Sequence, residues 1–397
     1  MKLNLCEQEI RKEEISEILA SLTSGFVTMG DKVRMFEDQF AEYIGVKNAV
    51  MVNSGSSANL LMVKAAATSG WGRKHLRRGD HVFVPALSWS TTYFPVVQSG
   101  LTPVLVDCDP HTLNIGPLQI EEAFETAPRT KALLIAHIMG NPAQMDVMTN
   151  ISNQHGWVLL EDSCETLGST YYGKKTGRFG IAASFSFFYS HHMTTIEGGM
   201  IVTDDDRFAD LCRMMRAHGW SRGLESEKWR GAVEKENPDI DPRFLFITEG
   251  YNLRPTELNA AMGIHQLKRL DDNNALRMVI ESKMRKVLEP YGDFIRPIER
   301  TPGAEIALMS FPVILEKGDR GEFAFSLESR GIQTRPIVAG NLARHPAMRR
   351  HTTVGALPNA NMVARQGLYW GLHPNVTDEQ IDHLGSVLKA YQERKAA

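Results

Sequence analysis

Apolar positions along the chain fall first into helical spacing and then into short runs. Ile15, Ile18, Leu19 and Leu22 share one face of a helix that Ser24-Gly25 ends. Seven β-prone runs follow: AVMV at 49–52, HVFV at 81–84, TPVLVD at 102–107, ALLIAH at 132–137, WVLLED at 157–162, ASFSFF at 183–188 and GMIVT at 199–203. Helix-length segments separate most of them, the pattern of a mainly parallel sheet covered by helices. From about residue 256 the pattern turns strongly helical until PYGDFIRPIERTPG breaks it. LMSFPVIL at 308–315, a helix at about 318–330, IQTRP and a final helix at about 377–394 complete a smaller α+β unit. The expected organisation is therefore an N-terminal helix and large domain over 1–255, a connecting helical segment over 256–290 and a small domain over 291–397. No internal repeat or low-complexity tract interrupts it.

A length of 397 residues with 43% hydrophobic content suffices for two cores. Lys+Arg is 44 against 47 Asp+Glu, and the net charge of -3 provides no overall attraction for nucleic acid or an anionic membrane. A local basic cleft stays open. Cys6, Cys108, Cys164 and Cys212 are dispersed, without the Cys or His spacing of a metal site, so no metal and a reduced, cytoplasmic compartment are expected. The N-terminal MKLNLCEQEIRKEEIS never builds the apolar stretch of a signal peptide or membrane span, and a soluble protein is expected.

Three segments carry candidate chemistry. Asn53-Ser54-Gly55-Ser56-Ser57-Ala58-Asn59-Leu60 lies between a strand and an apolar-patterned helix, where backbone N–H groups, hydroxyls and a helix N-terminus can meet a phosphate. By itself it is weak evidence, because small polar residues before a helix are usually just an N-cap. Glu161-Asp162 ends a strand, where open α/β sheets place ligands, and Asp162 there can face a cation or simply cap the next segment. Ser184-Phe185-Ser186-Phe187-Phe188-Tyr189-Ser190-His191-His192-Met193-Thr194-Thr195-Ile196-Glu197-Gly198-Gly199 runs from a β-prone stretch into a polar turn with paired histidines and glycines. Alone, a histidine such as His191 is more often a hydrogen-bonded structural residue than a catalyst.

In this order the three segments resemble the sugar aminotransferase/dehydratase family of fold-type I pyridoxal-phosphate enzymes, across about residues 20 to 395. Val104-Leu105-Val106-Asp107, His137-Ile138-Met139-Gly140-Asn141-Pro142, Arg216-Ala217-His218-Gly219 and Tyr251-Asn252-Leu253-Arg254 add to the likeness. The resemblance implies an aspartate-aminotransferase-like large α/β domain, a smaller C-terminal α+β domain, and pyridoxal or pyridoxamine 5'-phosphate as cofactor. It implies that Ser56, Ser57 and Ser186 bind the cofactor phosphate and that Asp162 pairs with the pyridine nitrogen. Trp89 matches an aromatic position that stacks on the ring, although its local sequence suits a core aromatic equally. Glu165 is implied to hydrogen-bond the 3-hydroxyl, and Asn252 to reach the phosphate from the second subunit of a homodimer with shared active sites. Arg335, Asn341 and Arg344 are expected near the sugar nucleotide, with a surface-charge role for Arg344 the competing account. His218 is expected to contact the sugar from the partner subunit or to shape a helix cap.

The family pattern carries lysine where this chain has His191. A transaminase lysine holds the cofactor covalently and moves a proton. Imidazole does only the second, and with an ordinary pKa of about 6.5 it is suited to accept a proton and return it to a departing hydroxide. The chemistry this implies is loss of the C3 hydroxyl from a nucleotide-linked 4-keto-6-deoxy sugar, and resemblance in SHHMTT and GIQTRPIVAGNLARHP to the dehydratase branch of the family implies GDP-4-keto-6-deoxymannose as substrate. Hydrolysis then releases ammonia, and glutamate restores the cofactor as it becomes 2-oxoglutarate. A similar iron–sulfur dehydratase uses clustered cysteines; their absence here leads to the expectation of no iron–sulfur centre and no reductase. The alternatives are an aminotransferase whose lysine has been replaced and a non-catalytic binding relative.

Overall fold

The computed structural model describes residues 1–69, 75–350 and 353–396. All seven β-prone runs form strands of one sheet: Asn48–Val52, His81–Pro85, Thr102–Val106, Thr130–Ala136, Val158–Asp162, Ala182–Ser186 and Gly199–Thr203. Across the sheet the order is Asn48–Val52, Gly199–Thr203, Ala182–Ser186, Val158–Asp162, Thr130–Ala136, His81–Pro85, Thr102–Val106, with Thr353–Val354 at the far edge. Among the described residues only Gly199–Thr203 runs antiparallel to its neighbours; the other pairs are parallel. The carboxyl ends of the remaining strands therefore share one edge, which is where open α/β sheets hold their ligands.

Period-two alternation in Ser184-Phe185-Ser186-Phe187 divides this stretch between core and site. Phe185 and Phe187 turn toward the helix Asp31–Ile44, with Phe40 lying 5.2 Å from Phe185 and 5.3 Å from Phe187, and Phe36 5.4 Å from Phe187. All four rings are fully buried, and each such pair adds about 0.5–1.5 kcal/mol beyond its area. The serines between them face the other way, toward the helix Gly55–Ala66.

The helical stretch beginning near 256 is two helices, Glu257–Lys268 and Leu270–Leu288. Thr256 caps the first reciprocally with Asn259. A smaller antiparallel sheet follows in the order Ile295–Pro297, Phe311–Leu315, Gly367–Trp370, Thr334–Pro336, accompanied by the helices Arg320–Glu328 and Asp378–Ala396. Trp370 stacks on Phe311 at 5.3 Å inside it. The fold is thus α/β with a mostly parallel central sheet and a smaller C-terminal α+β part. Among the described residues no helix is long and apolar enough to cross a membrane.

Candidate active site

The strand ends open on a cavity of about 630 Å³, within the range of small-molecule sites. At one end lies the Ser54-Gly55-Ser56 turn. Ser54 is the N-cap, its Oγ accepting from the Ser57 N–H at 3.1 Å, so the Ser57 amide is used by the cap. Gly55 and Ser56 carry N–H groups of the first turn, which have no partner within a helix. Two glycines shape this cradle. A Cβ on Gly55 would lie 2.5 Å from Ser186 Cβ, and one on Gly199 would lie 2.3 Å from the Ser54 carbonyl oxygen. The second of the paired glycines after the histidines thus makes room for the turn it faces.

Asp162, at the end of Val158–Asp162, is held from three sides. Its Oδ2 accepts from Asn59 Nδ2 and from Thr92 Oγ1, each at 2.7 Å, and its Oδ1 accepts from the Cys164 N–H at 3.2 Å. Ser184 Oγ donates to Asn59 Oδ1 at 2.6 Å, fixing which end of that amide meets the carboxylate. Ser88 donates to Thr92 Oγ1 at 2.8 Å in the same way. A carboxylate has about four acceptor positions; three are filled, and Asp162 lines the cavity.

Of the paired histidines, His191 lines the cavity, whereas His192 is buried with Nε2 against the Ala307 carbonyl at 2.7 Å. Burial pushes His191 down to about 4, opposed by the Asp162 carboxylate, which keeps the ring neutral near pH 7 and able to accept a proton. Glu165 also lines the cavity; its Oε2 accepts from the Met139 N–H at 2.6 Å, and burial raises its carboxyl to about 7. Glu161, next to Asp162, points elsewhere. It accepts from the N–H groups of Gly177, Phe179 and Gly180 at 2.7–2.9 Å and meets His137 Nε2 at 3.3 Å. Because His137 Nδ1 accepts from the Ala143 N–H at 3.1 Å, its proton sits on Nε2, facing Glu161.

Ser56, Trp89, Asp162, Glu165, Ser186, His191 and Arg335 all line this one cavity. Trp89 is 57% exposed there, and among the described residues Arg335 is the one lysine or arginine lining the cavity. Ser57, His218, Asn252, Asn341 and Arg344 are not among them. His218 and Asn252 are exposed, the latter accepting from Arg254 Nε at 3.2 Å. Asn341 is buried, capping the turn Leu342–Arg344 and bonding Asn361, and Arg344 is exposed. Asn59 and Ser184 lie inside two of the candidate segments, where the sequence gives them no role, and Ser88 and Thr92 flank Trp89 with no signal beyond a hydroxyl.

These residues fit a pyridoxal-type group. Such a group has an anionic phosphate, suited to the open amides and hydroxyls beside Gly55, and a ring nitrogen that is cationic when opposed by a carboxylate such as Asp162. Comparison with known proteins agrees. GDP-4-keto-6-deoxy-D-mannose 3-dehydratase of Yersinia pseudotuberculosis is 37% identical over 386 residues, covering 95% of this chain and 96% of that protein. The structure of E. coli GDP-4-keto-6-deoxy-D-mannose-3-dehydratase with bound hydrated PLP superposes with a TM-score of 0.88 at 36% identity, covering 98% of this chain and 99% of that one. A GDP-4-keto-6-deoxymannose-3-dehydratase with a trapped PLP-glutamate geminal diamine gives a TM-score of 0.87 at 36% identity, covering 98% and 100%. Residues 8–389 match a single family along nearly the whole chain. The chain belongs to the DegT/DnrJ/EryC1/StrS aminotransferase family.

Proposed function

We propose that this chain is a lysine-independent, pyridoxal-type dehydratase. It removes the C3 hydroxyl of a nucleotide-linked 4-keto-6-deoxy sugar, with GDP-4-keto-6-deoxy-D-mannose as substrate and glutamate as amine donor. The carrying observation is His191 in the cavity, in the stretch where the family pattern has lysine, with the carboxylate, serine and glycine partners of that pattern around it. Two relatives named for this dehydration, alike over nearly their whole length, support the substrate, and the glutamate adduct in a third supports the donor.

When bound, the cofactor supplies an amine and an electron sink. The Gly55 and Ser56 amides with the Ser56 and Ser186 hydroxyls hold its phosphate, and Ser57 supports them by closing the cap. Asp162 keeps the ring nitrogen charged, Glu165 meets the 3-hydroxyl, and Trp89 covers the ring. His191 takes up a proton and returns it to the departing hydroxide. Since imidazole makes no covalent link of the lysine kind, nitrogen leaves as ammonia. The balance closes: the C3 oxygen departs as water, and glutamate, oxidised to 2-oxoglutarate and ammonia with uptake of one water, supplies the two electrons and the hydrogens.

Arg335 pairs with the diphosphate of the sugar nucleotide, with Asn341 and Arg344 on the following turn. His218 and Asn252 serve the partner's cavity in a homodimer. Exposed aromatic surface beside them supports that assembly, since Trp220 stacks on Phe244 and on Phe246 at 6.0 Å each. The four free cysteines suit a reducing cytoplasm. The test is incubation with pyridoxal phosphate, glutamate and a panel of 4-keto-6-deoxy nucleotide sugars, followed by product mass. Loss of one oxygen, greatest with the GDP-linked mannose form, is expected; a 4-amino sugar as main product would overturn the assignment.

A further inference from the structure

The stretch matching the family begins at residue 8, yet the residues before it are built into the cavity. Leu3 is fully buried and pairs in parallel with Ile332. Its N–H donates to the Gly331 carbonyl at 2.9 Å and its carbonyl accepts from the Gln333 N–H at 3.0 Å. The Leu5 N–H donates to Gln333 Oε1 at 3.1 Å, and Gln380 Nε2 to the Lys2 carbonyl at 2.7 Å. Two glycines stand where this strap crosses. A Cβ at Gly371 would lie 1.8 Å from the Asn4 carbonyl oxygen, and one at Gly331 2.3 Å from that of Met1.

Leu5 and Cys6 then line the cavity. Gln8 follows, its Nε2 donating to the His191 carbonyl at 2.6 Å. Immediately after it, the Glu9 carbonyl accepts from Gln266 and from Arg269, each at 3.0 Å. Gln8 is thus fixed from both sides, by residues 331–333 just ahead of the strand Thr334–Pro336 and by Gln266 and Arg269 at the end of the helix Glu257–Lys268. The segment it grips lies between the strands Ala182–Ser186 and Gly199–Thr203 and is a turn closed at its base by the Phe187 N–H to the Gly198 carbonyl at 2.9 Å and the Thr195 N–H to the Phe187 carbonyl at 3.0 Å. Beside the paired histidines its ties are the His191 N–H to the Phe188 carbonyl at 3.0 Å and His192 to Ala307.

We infer that the strap from Leu3 to Gln8 is a working wall of the catalytic cavity and that Gln8 is a positioning residue that sets where His191 stands. This rests on the proton-carrying role proposed for His191. A reacting group misplaced by about 1 Å can cost on the order of a hundredfold in rate, while one neutral hydrogen bond is worth a factor of about ten or less. Loss of the Gln8 contact should fall nearer the second figure, since the turn keeps its other ties.

The test compares Gln8→Met, which keeps length and loses the donor, with Gln8→Lys, which restores a donor, and with His191→Asn. Turnover, KM for the nucleotide sugar, melting temperature and cofactor affinity are measured on the full chain. The His191 imidazole NMR signal is followed without cofactor, assigned by its loss in His191→Asn. Gln8→Met should lower kcat about tenfold, leave KM and cofactor affinity within about twofold, and shift the His191 signal, with Gln8→Lys recovering most of the rate. Parental kcat and an unshifted signal in Gln8→Met, beside an inactive His191→Asn, would overturn the inference alone. A lowered melting temperature with no recovery in Gln8→Lys would also overturn it, by making the contact structural. If His191→Asn itself kept parental turnover, the role of His191 would fail instead.

Discussion

Replacing Asp162 by Asn keeps the shape of the side chain and removes its charge, and the surrounding network sets the cost. The carboxylate accepts three hydrogen bonds, two on Oδ2 and one on Oδ1, whereas an amide has one oxygen. With that oxygen toward Asn59 and Thr92, the new NH2 group meets the Cys164 N–H, formerly 3.2 Å from Oδ1. Turned the other way, it meets two donors. Asn59 cannot flip to relieve this, because Ser184 Oγ holds its oxygen at 2.6 Å. The better orientation leaves one orphaned donor, a cost to the fold of about 1–3 kcal/mol. Catalysis loses more. A carboxylate and a cation at about 4 Å attract by about 4 kcal/mol in an effective dielectric of about 20, so turnover should fall about a thousandfold. Ammonia release measures the rate, and thermal melting with circular dichroism checks the fold. Turnover within about tenfold of the parent, at an intact melting temperature, would refute the role given to Asp162.

His191→Lys should acquire an amine that borohydride fixes to pyridoxal phosphate, while the parent is not labelled, and it should lose dehydration; labelling of the parent would contradict this. Gly199→Ala should weaken cofactor binding several-fold, because its methyl would sit 2.3 Å from the Ser54 carbonyl oxygen and overpacking costs roughly 1–3 kcal/mol; unchanged affinity by absorbance titration would remove the cradle. Burial lowers His191 from 6.5 to about 4 and His192 to about 3, so the cofactor-free native state holds fewer protons than the unfolded chain. Their contribution to stability is complete above about 6.5 and is lost as pH falls toward about 3. Glu165, raised by burial from 4.5 to about 7, acts in the opposite sense: its contribution is present below 4.5 and lost as pH rises through about 7. Denaturant midpoints against pH should show both limbs, with His192→Asn flattening the acidic one and Glu165→Gln the other.

Elements whose signal is local were legible in the sequence. The seven strands announced themselves as apolar runs, and Ser54-Gly55-Ser56, Asp162 and His191 stand at strand ends, where topology alone brings them together. The partners of Asp162 were not legible. Asn59 and Thr92 lie in helices, and Ser184 in a strand, that meet Asp162 only through sheet order, so even within the candidate segments nothing marks Asn59 or Ser184 as its partner. The choice between His191 and His192 likewise depends on Ala307, more than a hundred residues away. The helix Pro358–Gln366 and the strand Gly367–Trp370 carried no expectation. Pro358 reads as a breaker yet occupies the first turn, where no N–H is needed. The strap ahead of residue 8 carried no expectation of structure, because its apolar Leu3 is buried through a pairing some 330 positions downstream.

The fate of the donor nitrogen tests the central claim most directly. Glutamate carrying an isotopic label on its amino nitrogen is supplied with pyridoxal phosphate and GDP-4-keto-6-deoxymannose, and ammonia, 2-oxoglutarate and sugar nucleotide are followed together by mass spectrometry. With His191 as a proton carrier and no anchoring lysine, the label should appear in ammonia, in step with 2-oxoglutarate and with a nitrogen-free 3-deoxy sugar. Label retained in a 4-amino sugar, without loss of the C3 oxygen, would contradict the account.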